Sequence, residues 1–459
     1  MRMDTRTTLR KVDGRLMQLA NRAMVLNLVR ADPSASRAAI VRQTGLSPAA
    51  VSGIVERLLR DGLVREEARA ATGGVGRRPV RLAFNPEARV ALGIAVDVRE
   101  VAAALVDLGG TPRRIHRAAL PPGADPTIGL GVAARLARRA LRDAAPARVL
   151  GVGMAVPGMV QWPDGVNLFS PNLGWRDVPV RALMEQRLDR PALVDNEVRA
   201  LALAEHHYGA ARGVGTAVFL DAGYGVGGAV ILDGALYRGV HGAAGELGHN
   251  TVEPGGPLCG CGNRGCLETF ASASGLVARV REALAAGRAS RLSAVPDERL
   301  TLDAIVAAAA AGDALARDLL ARAATYLGLA VANAVDNWDP ELVVLSGSVL
   351  HASGSVRALT PITRPATTVA QVGIGSAGTV RAGVIGVIDA RADDVVVEDA
   401  VGGGTLFDRL LAAEQGSVLE TGRTRVRVVR AALGTEAKLI GAATLVIADY
   451  LAAPLQTHR

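Results

Sequence analysis

The sequence predicts an α/β protein: a small helical module closed by a β-hairpin, followed by two α/β lobes. Three observations carry this. The texture changes at Asn85-Pro86, from helical spacing to apolar runs of strand character separated by glycine turns. Charge divides at the same place, because residues 1–90 hold 17 Lys/Arg against 8 Asp/Glu while the whole chain nets +8, which leaves the rest close to neutral. Finally, the only three cysteines stand beside a histidine in His249-x9-Cys259-x-Cys261-x4-Cys266.

Composition sets the class. With 459 residues, 49% hydrophobic, and 53 glycines, the chain is globular and long enough to bury a sizeable core. Uncharged runs such as Val149 to Pro163 are too short and too rich in Gly and Pro for a membrane span, and residues 1–20 lack the apolar stretch of a signal peptide. A cytoplasmic protein with no membrane partner is expected, which also suits metal-bound rather than disulfide-bonded cysteines.

From Asn21 the pattern reads as three helices. Met24, Leu26, Leu28 and Val29 belong to the first, which Asp32-Pro33 ends, since proline lacks a backbone donor and disfavours helix in the residue before it. The second follows Ser36 as N-cap over Arg37 to Gln43 and closes at the turn Thr44-Gly45. Ser47-Pro48 opens the third, in which Val51, Ile54, Val55, Leu58 and Leu59 make one apolar stripe, leaving Ala49, Ser52 and Gly53 on the other face with Arg57 beyond. Leu63-Val64 and Val80 to Phe84 then flank the basic tip Thr72 to Pro79 as two strands.

A short helix, a glycine turn and a second helix with a small-residue outer face resemble the winged helix-turn-helix of bacterial regulators, and the local basic excess points to double-stranded DNA as partner. A three-helix protein-interaction module is the plainer alternative. Contact with thymine methyls from Ala49 and hydrogen bonds from Gln43, Thr44, Ser47 and Ser52 are expected, with Arg37, Arg57, Arg77 and Arg78 toward phosphate or a narrow minor groove.

Beyond Pro86, Val90 to Val96, Val101 to Asp107, Val149 to Val156, Ala192 to Val194, Ala217 to Leu220, Ala229 to Leu232 and Leu342 to Leu345 read as strands, and Ala133 to Asp143 and Ala314 to Val335 as helices. In the Cys/His stretch, four ligand types suit a tetrahedral zinc site; with four protein ligands, His249, Cys259, Cys261 and Cys266, no position stays open for water, so a structural Zn²⁺ is expected. Three unrelated buried thiols, or a redox pair, are the alternatives.

From LGIAVDVREVAAALVDLGG onward the chain resembles the ROK family (repressor, open reading frame, kinase). The carrying segments are Gly151 to Gly158, Ser170-Pro171-Asn172-Leu173-Gly174-Trp175, Asp195-Asn196-Glu197, GAAGELGHNTVEPGGPLCGCGNRGCLE and ALGTEAKLIGAA. The resemblance implies an actin-like two-lobe fold closing on a sugar. It carries sugar binding over to Asn172, Asn196, Glu197, Glu246, His249 and Glu268, residue types that exchange paired hydrogen bonds with neighbouring hydroxyls.

Against the kinases of that family the chain departs at three places. Val98-Arg99-Glu100 replaces their tight glycine hairpin after Asp97, Glu197 stands at the position of the catalytic Asp with Arg199 two residues on, and Tyr224 sits in the second glycine loop. Glu197 is one methylene too long for a well-placed base, and misplacement by about 1 Å can cost about a hundredfold in rate. No ATP binding and no catalytic residue are expected. Residues 355–404 match nothing familiar and read as an insertion, a disordered segment or a reading-frame artefact.

The expected organisation is thus a winged helix-turn-helix over 15–88, a first lobe over 89–199 and a second over 200–450, whose C-terminal helix packs back on the first. The expected function is a sugar-responsive DNA-binding regulator, a repressor of carbohydrate uptake or catabolism genes, acting as a homodimer or tetramer. It would be released or repositioned by sugar bound between the lobes. An active ATP-dependent sugar kinase with a fused DNA-binding domain is the alternative, and a regulator triggered by a docking protein is a third.

Overall fold

The computed structural model of the chain describes residues 14–67, 80–351, 370–374, 380–384, 395–397 and 426–452. They fall into two compact units, one formed by the chain up to Tyr208 plus the segment from Thr435, the other by Gly209–Gly434.

The first unit opens with α1 (Gly14–Ala31), α2 (Arg37–Thr44) and α3 (Pro48–Arg60). Helix α1 starts earlier than its apolar spacing suggested. It buries Ala23, Val25, Leu26 and Val29 while Met24 is exposed, because a 3.6-residue period turns position 24 away from the neighbours of 25 and 26. The Ser36 hydroxyl accepts from Ala39 N–H at 3.3 Å, and Gly45, at φ 68°, ends α2 by donating to Val41 O. In α3 the Ser47 hydroxyl accepts from Ala50 N–H, Pro48 fills the first turn, and Val51, Ile54, Val55 and Leu58 are buried. Each such side chain contributes about 1.5–3 kcal/mol. A charge at Val55 would break the module. Strands β1 (Val64–Glu67) and β2 (Arg81–Phe84) pair antiparallel from Val64↔Phe84 to Glu67↔Arg81. The tip between them, with Arg77 and Arg78, lies outside the described residues.

The same unit continues with β3 (Val90–Val96), β4 (Glu100–Asp107), β5 (His116–Ala119), α4 (Pro126–Leu141), β6 (Val149–Val156), β7 (Met159–Gln161), β8 (Val166–Ser170), β9 (Trp175–Val178), α5 (Val180–Leu188), β10 (Ala192–Asn196) and α6 (Glu197–Tyr208). Its sheet runs β10-β6-β3-β4-β5, an antiparallel β3-β4-β5 meander joined to parallel β6 and β10. Alternation assigns the two faces: Val90, Leu92, Ile94 and Val96 meet α4, whereas Ala95 and, from β4, Ala102 and Ala104 meet Leu439 of the C-terminal helix Ala437–Leu451. That helix lies so close that a Cβ on Gly153 would stand 1.7 Å from Ala442 O. Helix α4 begins seven residues before the expected Ala133, because Asp125 caps it by accepting from Thr127 and Ile128 N–H and Pro126 occupies the first turn.

The second unit contains β11 (Ala217–Ala222), β12 (Val226–Leu232), β13 (Ala235–Tyr237), α7 (Glu268–Ala271), α8 (Ala273–Ala285), α9 (Leu302–Ala310), α10 (Ala314–Trp338), β14 (Leu342–Ser346), β15 (Ala370–Ile374), β16 (Val380–Val384), β17 (Val395–Val397) and β18 (Val426–Arg430). Its sheet order β13-β12-β11-β14-β18-β17 again joins an antiparallel meander to parallel strands. This repeated topology is the actin-like arrangement the resemblance implied. Val218, Leu220, Val343 and Val428 of the sheet pack in one core with Leu320, Leu327 and Val331 of α10. Within the stretch 355–404, β15 and β16 form a hairpin and β17 pairs parallel with β18 at the sheet edge.

Candidate functional site

The second unit gathers the four expected metal ligands. One ligand atom from each of His249, Cys259, Cys261 and Cys266 lies within 4.8 Å of all the others. Cys261 Sγ and Cys266 Sγ are 3.8 Å apart, and Cys259 Sγ is 3.7 Å from His249 Nδ1. A tetrahedron with Zn–S of about 2.3 Å has S···S edges of about 3.8 Å, so the donor set and its spacing are compatible with zinc. Burial pushes the Cys259 and Cys266 thiols up, so thiolates there need a cation beside them. The loop that brings them together folds on itself: Val252 and Glu253 N–H donate to Gly265 O, where a Cβ on Gly265 (φ 70°) would lie 1.7 Å from Glu253 O. Glu253 in turn accepts from Arg322 at 2.7 Å and from the Tyr326 hydroxyl, both on α10, anchoring the loop to the core helix.

Three of the expected sugar residues stand on this cluster. With Nδ1 facing Cys259, His249 directs Nε2 toward Glu246 Oε2, 3.9 Å away. Glu268 places Oε1 3.9 Å from Cys259 Sγ and accepts from Val226 N–H with Oε2 at 2.9 Å, which links the cluster to the first residue of β12. Glu246 and His249 are half-buried, with side-chain exposures of 30% and 29%, a level at which hydroxyls can reach them. The turn between β11 and β12 carries Tyr224 with its side chain exposed, and its carbonyl accepts from Ser274.

The other three belong to the first unit. Asn196, at the end of β10, is 9% exposed. Its Oδ1 accepts from Val198 and Arg199 N–H, capping α6, while Nδ2 donates to Gly158 O at 2.9 Å. Most of its hydrogen-bonding capacity thus serves the fold, and at most one N–H remains for a ligand. Asn172 is half-buried in the turn between β8 and β9, two residues beyond Ser170, whose Cα packs on Gly158. Glu197 starts α6, and its Oε2 accepts from Lys438 Nζ at 2.7 Å. Sequence reasoning passed over this lysine, although it is one of only two in the chain, a rarity that marks it.

At the turn between β3 and β4, Asp97 N–H donates to Glu100 O at 2.8 Å, and Glu100 is paired with Arg117, which also pairs with Glu436. Arg199 is buried against Asp195 at 3.1 Å.

In the N-terminal module, Gln43, Ser47, Ala49 and Arg57 are exposed and Ser52 is half-buried, all on α2, α3 or the turn between them. Thr44 is already engaged, donating to Ile40 O and accepting from Leu46 N–H. Arg37 pairs with Glu66 of β1 at 2.6 Å. Among the described residues no helix is long and apolar enough to cross a membrane.

Comparison with known proteins accords with this architecture. Residues 20–65 match the winged helix-turn-helix DNA-binding family, and residues 91–371 match the ROK family. The xylose repressor of Caldicellulosiruptor bescii is 32% identical over 333 residues, 72% of this chain and 83% of that protein. The N-acetylglucosamine repressor of Escherichia coli O6:H1 is 29% identical over 344 residues, covering 73% and 82% respectively. A crystal structure of a ROK family transcriptional regulator, a homologue of the Escherichia coli MLC protein, superposes over 95% of this chain and 98% of its own with a TM-score of 0.71. At 24% identity that likeness speaks for the fold alone. Taken together with the Cys/His cluster and the duplicated sheet topology, the match across the body shows that the chain belongs to the ROK family.

Proposed function

We propose that the protein is a sugar-responsive, DNA-binding transcription regulator of the cytoplasm, a repressor of carbohydrate uptake or catabolism genes. The observation that carries this is the union of a winged helix-turn-helix with a ROK body whose Cys/His cluster carries Glu246, His249 and Glu268 side by side. Two relatives are named xylose repressor and N-acetylglucosamine repressor, which supports a sugar as the effector. Structural zinc fixes the tautomer and direction of His249, and the carboxylates beside it read neighbouring hydroxyls. Asn172, Asn196 and Glu197 are the remaining hydroxyl partners in this reading. Operator DNA meets Ala49 and Ser52 of α3 with Gln43, Thr44 and Ser47 before it, while Arg37, Arg57, Arg77 and Arg78 bind the backbone. Paired half-sites call for a homodimer or a tetramer.

The reading excludes phosphoryl transfer. A base must be free to take a proton, whereas Glu197 is held by an ammonium at 2.7 Å. The Glu100–Arg117–Glu436 group sets two carboxylates where a phosphate-binding hairpin would need open backbone N–H groups. Calorimetry with D-xylose, D-glucose and N-acetyl-D-glucosamine, each with and without Mg-ATP, tests this. Binding of one sugar, indifferent to ATP and without turnover, is expected; ATP-dependent phosphorylation of a hexose would replace this reading with that of a kinase.

A further inference from the structure

Lys438 lies in the first turn of the C-terminal helix, and Glu197 begins α6. One turn further along both, Gly441 meets Ala200 so closely that a Cβ on Gly441 would stand 1.9 Å from Ala200 O. The two contacts have the same offset in the chain, so the helices run parallel with their backbones touching. Beside that contact, Ala200 of α6 and Ala442 of the C-terminal helix are buried together against Ala155 of β6. A pair packed this closely has no slack for one helix to slide past the other without its partner.

The DNA-binding module is fastened to the opposite end of this pair. Arg30, in the last turn of α1, donates to His207 O at 3.3 Å and lies 5.5 Å above the Tyr208 ring. Asn27 Nδ2 donates to Leu451 O, at the last residue of the C-terminal helix, at 3.1 Å. Helix α1 buries Val25, Leu26 and Val29 and packs on α3, the helix proposed to meet operator DNA. Both helices of the pair therefore have one end at Glu197 and the other on α1.

We propose that α6 and the C-terminal helix move as one body that carries sugar occupancy to the DNA-binding module. Lys438 is the positioning residue that makes the sugar-facing carboxylate part of that body. This rests on the proposed role of Glu197 as a sugar ligand. A hydroxyl bound to Glu197 competes with Lys438 for the carboxylate lone pairs and re-aims the first turns of both helices. The displacement reaches α1 through Arg30 and Asn27, so the two arrangements of the pair are the two states that sugar and DNA bias in opposite directions.

The test uses the full chain, the three sugars named above as probes, and a duplex from upstream of its own gene. In the double variant Asn27→Ala/Arg30→Ala, sugar affinity by calorimetry stays as in the unaltered chain and DNA still binds without sugar. Its DNA affinity no longer responds to sugar, and hydrogen exchange of residues 14–31 no longer changes on sugar addition. In Lys438→Met, which removes the competitor for the Glu197 carboxylate, sugar affinity rises by about tenfold, and Lys438→Arg restores the original affinity. Full sugar-dependent DNA release by the double variant, or unaltered sugar affinity in Lys438→Met, overturns the proposal while leaving the sugar-sensing reading intact. Failure of every sugar to bind the unaltered chain overturns both.

Discussion

The guanidinium of Arg199, in the first turn of α6, lies 3.1 Å from the carboxylate of Asp195 near the end of β10, and the two side chains are 1% and 0% exposed. Asp195 also accepts from Asn196 N–H at 2.8 Å, so this buried pair fixes the junction of β10 and α6 from which Asn196 and Glu197 project. Breaking such a pair from one side leaves an uncompensated charge. Arg199→Met is expected to cost about 3–5 kcal/mol in urea denaturation, and Asp195→Asn/Arg199→Met to recover a large part of it. If the single substitution costs less than about 1 kcal/mol, the pair does not hold this junction.

Metal removal gives the second prediction. The proposed zinc ligands His249 and Cys259 stand 3.9 Å from the carboxylates of Glu246 and Glu268, respectively, the residues proposed to line the sugar site with His249. Cys261→Ser, or treatment with a strong chelator, should lower zinc content measured by atomic emission, reduce the melting temperature and abolish sugar binding together. Retained sugar affinity in zinc-free protein would show that the wall stands without its metal.

A third concerns pH. The half-buried His207 imidazole is held down to about 4, first by burial and then by the nearby Arg30 and His206 charges. Its folded value lies below the ordinary value of 6.5, so the unfolded chain takes up the proton more readily. The stability contributed is complete above about 6.5 and is lost as pH falls toward about 4. His207→Asn should flatten the fall in melting temperature across that window. An unchanged slope would mean that His207 charges without cost in the folded state.

The parts legible in the sequence were those set by short-range chemistry. Ser36, Gly45, Ser47 and Pro48 announce their helix ends because a cap is decided within four residues. Strands β3, β6 and β14 are buried on both faces and read as unbroken apolar runs. The clustering of His249 with the three cysteines was legible because cysteine is so rare in the chain. Helix α6 was not, because Val198 to Glu205 are all buried and the run, including Arg199 and Glu205, shows no amphipathic stripe. The engagement of Asn196 as a helix cap and the Lys438–Glu197 pair, 241 residues apart, were equally invisible, since both depend on the folded backbone.

In the proposed function, sugar occupancy of the ROK body governs DNA binding by the N-terminal module. Fluorescence anisotropy of a labelled duplex from upstream of its own gene, titrated with the zinc-loaded full chain in the presence and absence of the sugar found by calorimetry, measures it directly. Nanomolar binding without sugar and at least about a tenfold loss with it are expected at constant salt. Equal affinity in both titrations would contradict the proposed function.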